Sequence, residues 1–351
     1  MMTSESERGT QRAYELDALR GIAAFSILLF HYFVVFKYIQ KGKIPESIFT
    51  FGVTGVDLFF IISGYVIFMT VKKNTHWKGF LVSRFSRLYP AYWVSILLTA
   101  GGLKMVSPEN RLLKTEVVLG NLTMVQRWMG LPDVNPPYWT LSVELMFYLV
   151  VFLFLFSGTA RKIGKSGGIL VAVLLAGIIL SHISANYSTF IKKNFPLFAH
   201  ANLFYAGILF YIVNEQGNTI LRAIGLLSML GMVFPLHSLG GTTQDFMGPI
   251  AHTLIVSFYF LLFFLFVTGR LGFIAKKGLV FLGDISYSLY LLHQTIGFIF
   301  ILFFLEKGLS HTLSVCLTVF LVVLLSWLVT ILIEKPSTRR LRRLLLSEGG
   351  S

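Results

Sequence analysis

The sequence predicts an all-α fold, a polytopic membrane helix bundle of about ten transmembrane helices with both termini cytoplasmic. Three observations carry that prediction. The 351 residues are 55% hydrophobic and only 13% charged, about half the charged share of a soluble domain. Apolar windows of about 20 residues, the length that crosses a hydrocarbon core, recur along the whole chain. The stretches between them also differ in charge: of the 30 Lys and Arg residues, two thirds fall on one of the two alternating sides, as retention of basic residues in cytoplasmic loops requires. The net charge of +14 is therefore a topology signal and not a footprint for nucleic acid. The one cysteine, Cys316, lies in an apolar run, which argues against a disulfide framework or a thiolate metal cluster.

The windows fall at 19–38, 52–71, 88–106, 138–157, 168–185, 197–213, 219–236, 249–268, 279–304 and 312–333. The window 219–236 is the weakest, because Arg222 stands in its first turn. Residues 1–13 read as a disordered polar tail and 14–336 as one membrane domain. Residues 337–351 read as a basic tail whose Arg339, Arg340, Arg342 and Arg343 lie on the anionic inner leaflet. Residues 107–137 form the longest outer loop. Its Leu112, Leu113, Val117, Val118, Leu119, Leu122 and Val125 recur near helical spacing, which predicts an interfacial or re-entrant amphipathic helix.

In a membrane bundle the informative residues are the polar ones. Arg20 and His31, eleven residues apart in the first window, share a helix face, about 16 Å apart along the axis. The alternative without a site is Asp17–Arg20 as an i, i+3 pair, with Arg20 an inner-leaflet anchor and His31 a helix–helix hydrogen bond. Asp57 falls near the outer end of the second window within Gly55-Val-Asp-Leu-Phe-Phe, where water or a ligand could equally be its partner. Arg84 and Arg87 share a face at the entry to the third window and suit either topology or a bidentate phosphate clamp. In the segment beginning Tyr138-Trp139, the residues Thr140, Glu144 and Tyr148 form one polar stripe. A buried carboxylate must be neutral or paired, and His31 at similar depth is a candidate partner for Glu144. Ser286, Tyr290 and His293 form a further stripe. Two buried histidines and a buried carboxylate are compatible with a proton relay, an ion pathway or acid–base catalysis.

Taken in order, these clusters resemble the signature of acyltransferase family 3, the integral membrane O-acyltransferases. The matching elements are Leu16-Asp-Ala-Leu-Arg-Gly followed by His31, then Gly55-Val-Asp-Leu-Phe-Phe-Ile-Ile-Ser-Gly-Tyr, then Arg84-Phe-Ser-Arg-Leu-Tyr-Pro-Ala-Tyr. Tyr138-Trp-Thr-Leu-Ser-Val-Glu, Ser286-Tyr-Ser-Leu-Tyr-Leu-Leu-His and Glu334-Lys-Pro follow. Tyr65 and Thr140 stand where many relatives have Phe and Ser.

The resemblance implies transfer of an acyl group, commonly acetyl, from cytoplasmic acyl-CoA to a carbohydrate hydroxyl. The acceptor would be a polysaccharide, a lipid-linked sugar or a glycosylated small molecule. It implies no metal and a bacterial inner-membrane location. His31 would be the base, and Glu144 would orient the imidazole or the sugar. Arg20, Arg84 and Arg87 would bind the donor's phosphates. Asp57, Trp139, Ser286, Tyr290 and His293 would contact the acceptor or the oxyanion. The competing reading is a proton-coupled transporter or flippase of a lipid-linked sugar. Against it stands the lack of paired Gly/Pro-interrupted segments in corresponding halves.

Overall fold

The computed structural model describes residues 13–73 and 76–347. The expected tail over 1–13 lies outside these residues up to position 12, as does the chain after 347. Every regular element among the described residues is helical. We label the principal helices α1 (Tyr14–Lys41), α2 (Ile48–Lys72), α3 (Trp77–Val106), α4 (Pro136–Phe156), α5 (Gly167–Ile183), α6 (Ala185–Asn194) and α7 (Phe198–Gln216). Then follow α8 (Ile220–Leu239), α9 (Pro249–Val267), α10 (Lys277–Asp284), α11 (Ser286–Leu292), α12 (Thr295–Glu306) and α13 (His311–Leu346).

Six of these, α1, α2, α4, α8, α9 and α13, are long and apolar enough to cross a membrane. The pairs α6–α7 and α11–α12, bent by 84° and 60°, raise the number to eight if each pair is one span. Each of the ten windows is helical, but α3 is too polar for that test and α5 has only 17 residues. The weakest window became one of the six. Arg222 folds back from α8 to donate to the carbonyls of Gln216 and Gly217, so its charge stays at the helix end.

Two expectations are corrected. The window 279–304 is not one helix but α10, α11 and α12 in succession. Over 107–137 the only α-helix is the seven-residue Thr115–Asn121. Asn121 explains the compact loop around it. Its side-chain amide donates to the carbonyls of Val117 and Pro132 and accepts from Val134 N–H, giving the backbone partners that a longer helix would have used.

The bundle is organised around α2, whose apolar window is 78% buried, against 22% in α8 and 28% in α9 and α13. Two glycines permit the closest crossings. A Cβ on Gly64 of α2 would collide with the Phe204 carbonyl of α7, and one on Gly283 of α10 with the Asp17 carbonyl of α1. Backbone cannot withdraw as a flexible side chain can, and overpacking costs about 1–3 kcal/mol or more. Gly64→Val is therefore expected to give little monodisperse protein on size-exclusion chromatography, whereas Gly101→Val, in open space on α3, should elute as wild type. Beyond Glu334, α13 continues without a break and docks on α3. Thr338 donates to the Ser86 carbonyl at 2.9 Å and Arg342 to Ser83 Oγ at 2.8 Å.

Candidate active site

His31 opens a π-helical turn, His31–Val35, inside the otherwise α-helical α1. Such an inserted residue is a common device of functional sites, because it re-aims one side chain without breaking the helix. Opposite it, the chain breaks between α11 and α12 at His293 and Gln294. Side chains satisfy carbonyls at this break. Asn135 Nδ2 donates to the Leu291 carbonyl at 2.7 Å, and Tyr32 donates its hydroxyl to the His293 carbonyl at 2.8 Å. His293 Nδ1 lies 2.8 Å from the Tyr290 carbonyl. The break therefore holds His293 in a fixed orientation.

The two imidazoles meet edge to face. His293 Nε2 is 3.2 Å from His31 Nδ1, and His31 Nδ1 is also 2.8 Å from the Ile27 carbonyl. A carbonyl can only accept, so both Nδ1 atoms carry the hydrogens. The lone pair of His293 Nε2 then accepts from His31 Nδ1–H. That assignment follows from the hydrogen-bond network. In the neutral imidazole this leaves His31 Nε2 without a hydrogen.

Two cavities lie here, the first lined by His31 and the second touching neither imidazole. One, of about 580 Å³ of empty space, is lined by His31, Trp139, Thr243, Phe246, Tyr290 and Gln294 among others, and has no Lys, Arg, Asp or Glu in its wall. The other, of about 620 Å³, is lined by Arg20, Ser63, Arg87, Glu144, Ser286 and Tyr290 among others. Val56 and Tyr290 belong to both walls, so the cationic cavity and the histidine cavity abut across these two side chains. The Tyr290 hydroxyl donates to the Pro137 carbonyl at 3.0 Å and lies 2.8 Å from Thr140 Oγ1. Its hydrogen is thus already engaged in the divider.

The remaining predicted residues separate into groups. Glu144 accepts from Tyr148 and, at 3.3 Å, from Ser63. It faces the arginine cavity, and the partner of His31 is His293 rather than Glu144. Arg84 and Arg87 do not act as one clamp. Arg87 lines the cavity, whereas Arg84 is 6% exposed and lies over the rings of Phe80 and Tyr148 at 5.8 Å. Arg84 Nη2 reaches Ser83 Oγ at 3.3 Å, and its Nε and Nη1 have no partner among the described residues. A guanidinium so placed calls for an anion. Asp57 is not an interfacial acid. It is 1% exposed and lies 3.0 Å from His252 Nε2 and 3.9 Å from His200 Nδ1, while His252 Nδ1 meets His237 Nδ1 at 3.0 Å.

Sequence reasoning missed these three histidines. The available signal was a His in or beside each of three apolar windows. Among the described residues, no group of His, Cys, Asp and Glu has the geometry to hold a metal ion. Trp139 bridges the two regions, lining the His31 cavity and lying 5.7 Å from His200 ring to ring.

Comparison with known proteins decides between acyl transfer and transport. The family model described as acyltransferase domain matches residues 13–331. The chain belongs to acyltransferase family 3. It is accordingly an acyltransferase and a multi-pass membrane protein. Among the similar relatives of this family 3 chain is an exopolysaccharide production protein, ExoZ, of Rhizobium meliloti, 29% identical across 86% of this chain and 94% of that protein. A putative acetyltransferase of Acidianus two-tailed virus is 24% identical across 81% of this chain and 83% of its own length. A putative O-acetyltransferase of Staphylococcus aureus is 24% identical across 79% of this chain and 49% of that protein. No solved structure matches the chain.

Proposed function

We propose that this acyltransferase moves an acyl group, acetyl foremost, from acyl-CoA at the cytoplasmic face to a carbohydrate hydroxyl. One observation carries this reading. His31, whose Nδ1 is engaged by the Ile27 carbonyl and His293 Nε2, lines a cavity with no Lys, Arg, Asp or Glu among its described lining residues, and this cavity abuts a second one lined by Arg20 and Arg87. Phosphates of the donor suit the arginine side through charge-assisted hydrogen bonds. A neutral sugar suits the other side, with Trp139 as an apolar platform and Thr243 and Gln294 as polar contacts. The exopolysaccharide role in the name of the Rhizobium relative favours a carbohydrate acceptor. We place the protein in a bacterial inner membrane with the Arg20 and Arg87 end in the cytoplasm, on the charge bias. Counting α3 and α5 as spans gives ten.

In this scheme the acceptor O–H passes its proton to His31 Nε2 while the oxygen attacks the thioester carbonyl. The tetrahedral intermediate then expels the CoA sulfur, which takes the proton back from His31. The products are the ester and free CoA thiol. His293, as acceptor for His31 Nδ1–H, is a positioning residue. His293→Gln is expected to lower kcat by about 10- to 100-fold, the range that small misplacements cost, with the donor KM unmoved.

The test of the function is to incubate membranes with radiolabelled acetyl-CoA and candidate glycans. The reading predicts label in the glycan fraction, present with wild type and absent with His31→Ala. Label equally abundant in both would overturn it.

A further inference from the structure

Beyond the two cavities of the reaction lies a larger hollow of about 1630 Å³ of empty space, framed by α5, α7, α8 and the last turns of α2. Its position is independent of the site. Arg84 reaches Thr70 on one face of α2, whereas Phe68 and Lys72 look into the hollow from another. Among the described residues four cations line it, Lys72, Arg161, Lys165 and Arg222, and no Asp or Glu does. The rest of the wall is mostly apolar, Phe68, Leu209 and Ile212 included. Arg222 is already held by the carbonyls closing α7, which leaves Lys72, Arg161 and Lys165 as the exposed cations.

Cations in an otherwise largely apolar wall complement an anionic head carrying a long hydrocarbon chain. We propose that this hollow binds an anionic phospholipid of the surrounding leaflet. Its phosphate sits among Lys72, Arg161 and Lys165, and one acyl chain lies along Phe68, Leu209 and Ile212. Each basic residue near an anionic surface contributes attraction that a zwitterionic head lacks. The site stands whether or not the acyl-transfer reading holds.

Native mass spectrometry of the full-length protein in neutral detergent, titrated with phosphatidylglycerol or phosphatidylcholine of identical chains, tests it. Wild type is expected to keep one phosphatidylglycerol under conditions that strip phosphatidylcholine. The variant Lys72→Ala/Arg161→Ala/Lys165→Ala should lower that adduct at least tenfold. Gly225→Leu keeps every cation but crowds Leu209, whose Cδ1 lies 3.1 Å from where its Cβ would stand. It should lower the adduct as well. Equal retention of the two lipids by wild type would overturn the proposal even if a variant failed to fold. Displacement of phosphatidylglycerol by CoA alone would overturn it too, reassigning the hollow to the donor.

Discussion

The His31→Gln protein is expected to insert, fold and bind acetyl-CoA as wild type does, yet to turn over about 10²–10⁴-fold more slowly, the usual contribution of a general base. Glutamine has nearly the reach of histidine, and its amide N–H can still donate to the Ile27 carbonyl, which His31 Nδ1 meets at 2.8 Å. What it lacks is a nitrogen lone pair able to take the acceptor's proton. Donor affinity should persist because Arg20 and Arg87 line the other cavity. Steady-state kcat and KM on purified protein, with the melting temperature as a control for folding, check this. A kcat within threefold of wild type would place the base elsewhere.

Removing Arg87 should act on the other parameter. A hydrogen bond to a charged partner is worth about 1.5–3 kcal/mol, so Arg87→Ala is expected to raise the acetyl-CoA KM by about 10- to 150-fold. Arg20→Ala should do the same, and the double variant should fall short of the product, because both line one cavity and neighbouring sites couple. Arg84 supplies a contrast. Its buried Nε and Nη1 have no partner among the described residues, and an uncompensated buried charge is itself destabilising. Arg84→Met should therefore hold or raise the melting temperature while weakening donor binding. A fall of several degrees with an unchanged KM would make Arg84 purely structural.

The sequence disclosed the helices well because hydrocarbon thickness imposes one length and one composition on every span. It disclosed the polar clusters because apolar helices leave so few other polar side chains. Pairing was less legible. His31 and Glu144 stand at similar depth in their windows, and depth alone suggested a pair. Which faces meet depends on rotation, and the π turn at His31 and the break at His293 set that rotation. Neither device has a one-sequence signature: His293 and Gln294 interrupt an apolar run without a Gly or Pro. The Asp57 group shows the same limit. Its histidines, at 200, 237 and 252, come from three different helical segments, and only the fold brings them to one carboxylate.

A single-turnover experiment tests whether His31 takes a proton from an acceptor hydroxyl while acyl-CoA is held on the arginine side. Purified protein would be loaded with radiolabelled acetyl-CoA, mixed with acceptor, and quenched at intervals through the first turnover. In wild type, label is expected to leave the donor and appear on the acceptor. In His31→Ala it should stay on acetyl-CoA bound with unchanged Kd. Transfer to the acceptor at the wild-type rate in His31→Ala would show that His31 is not the base.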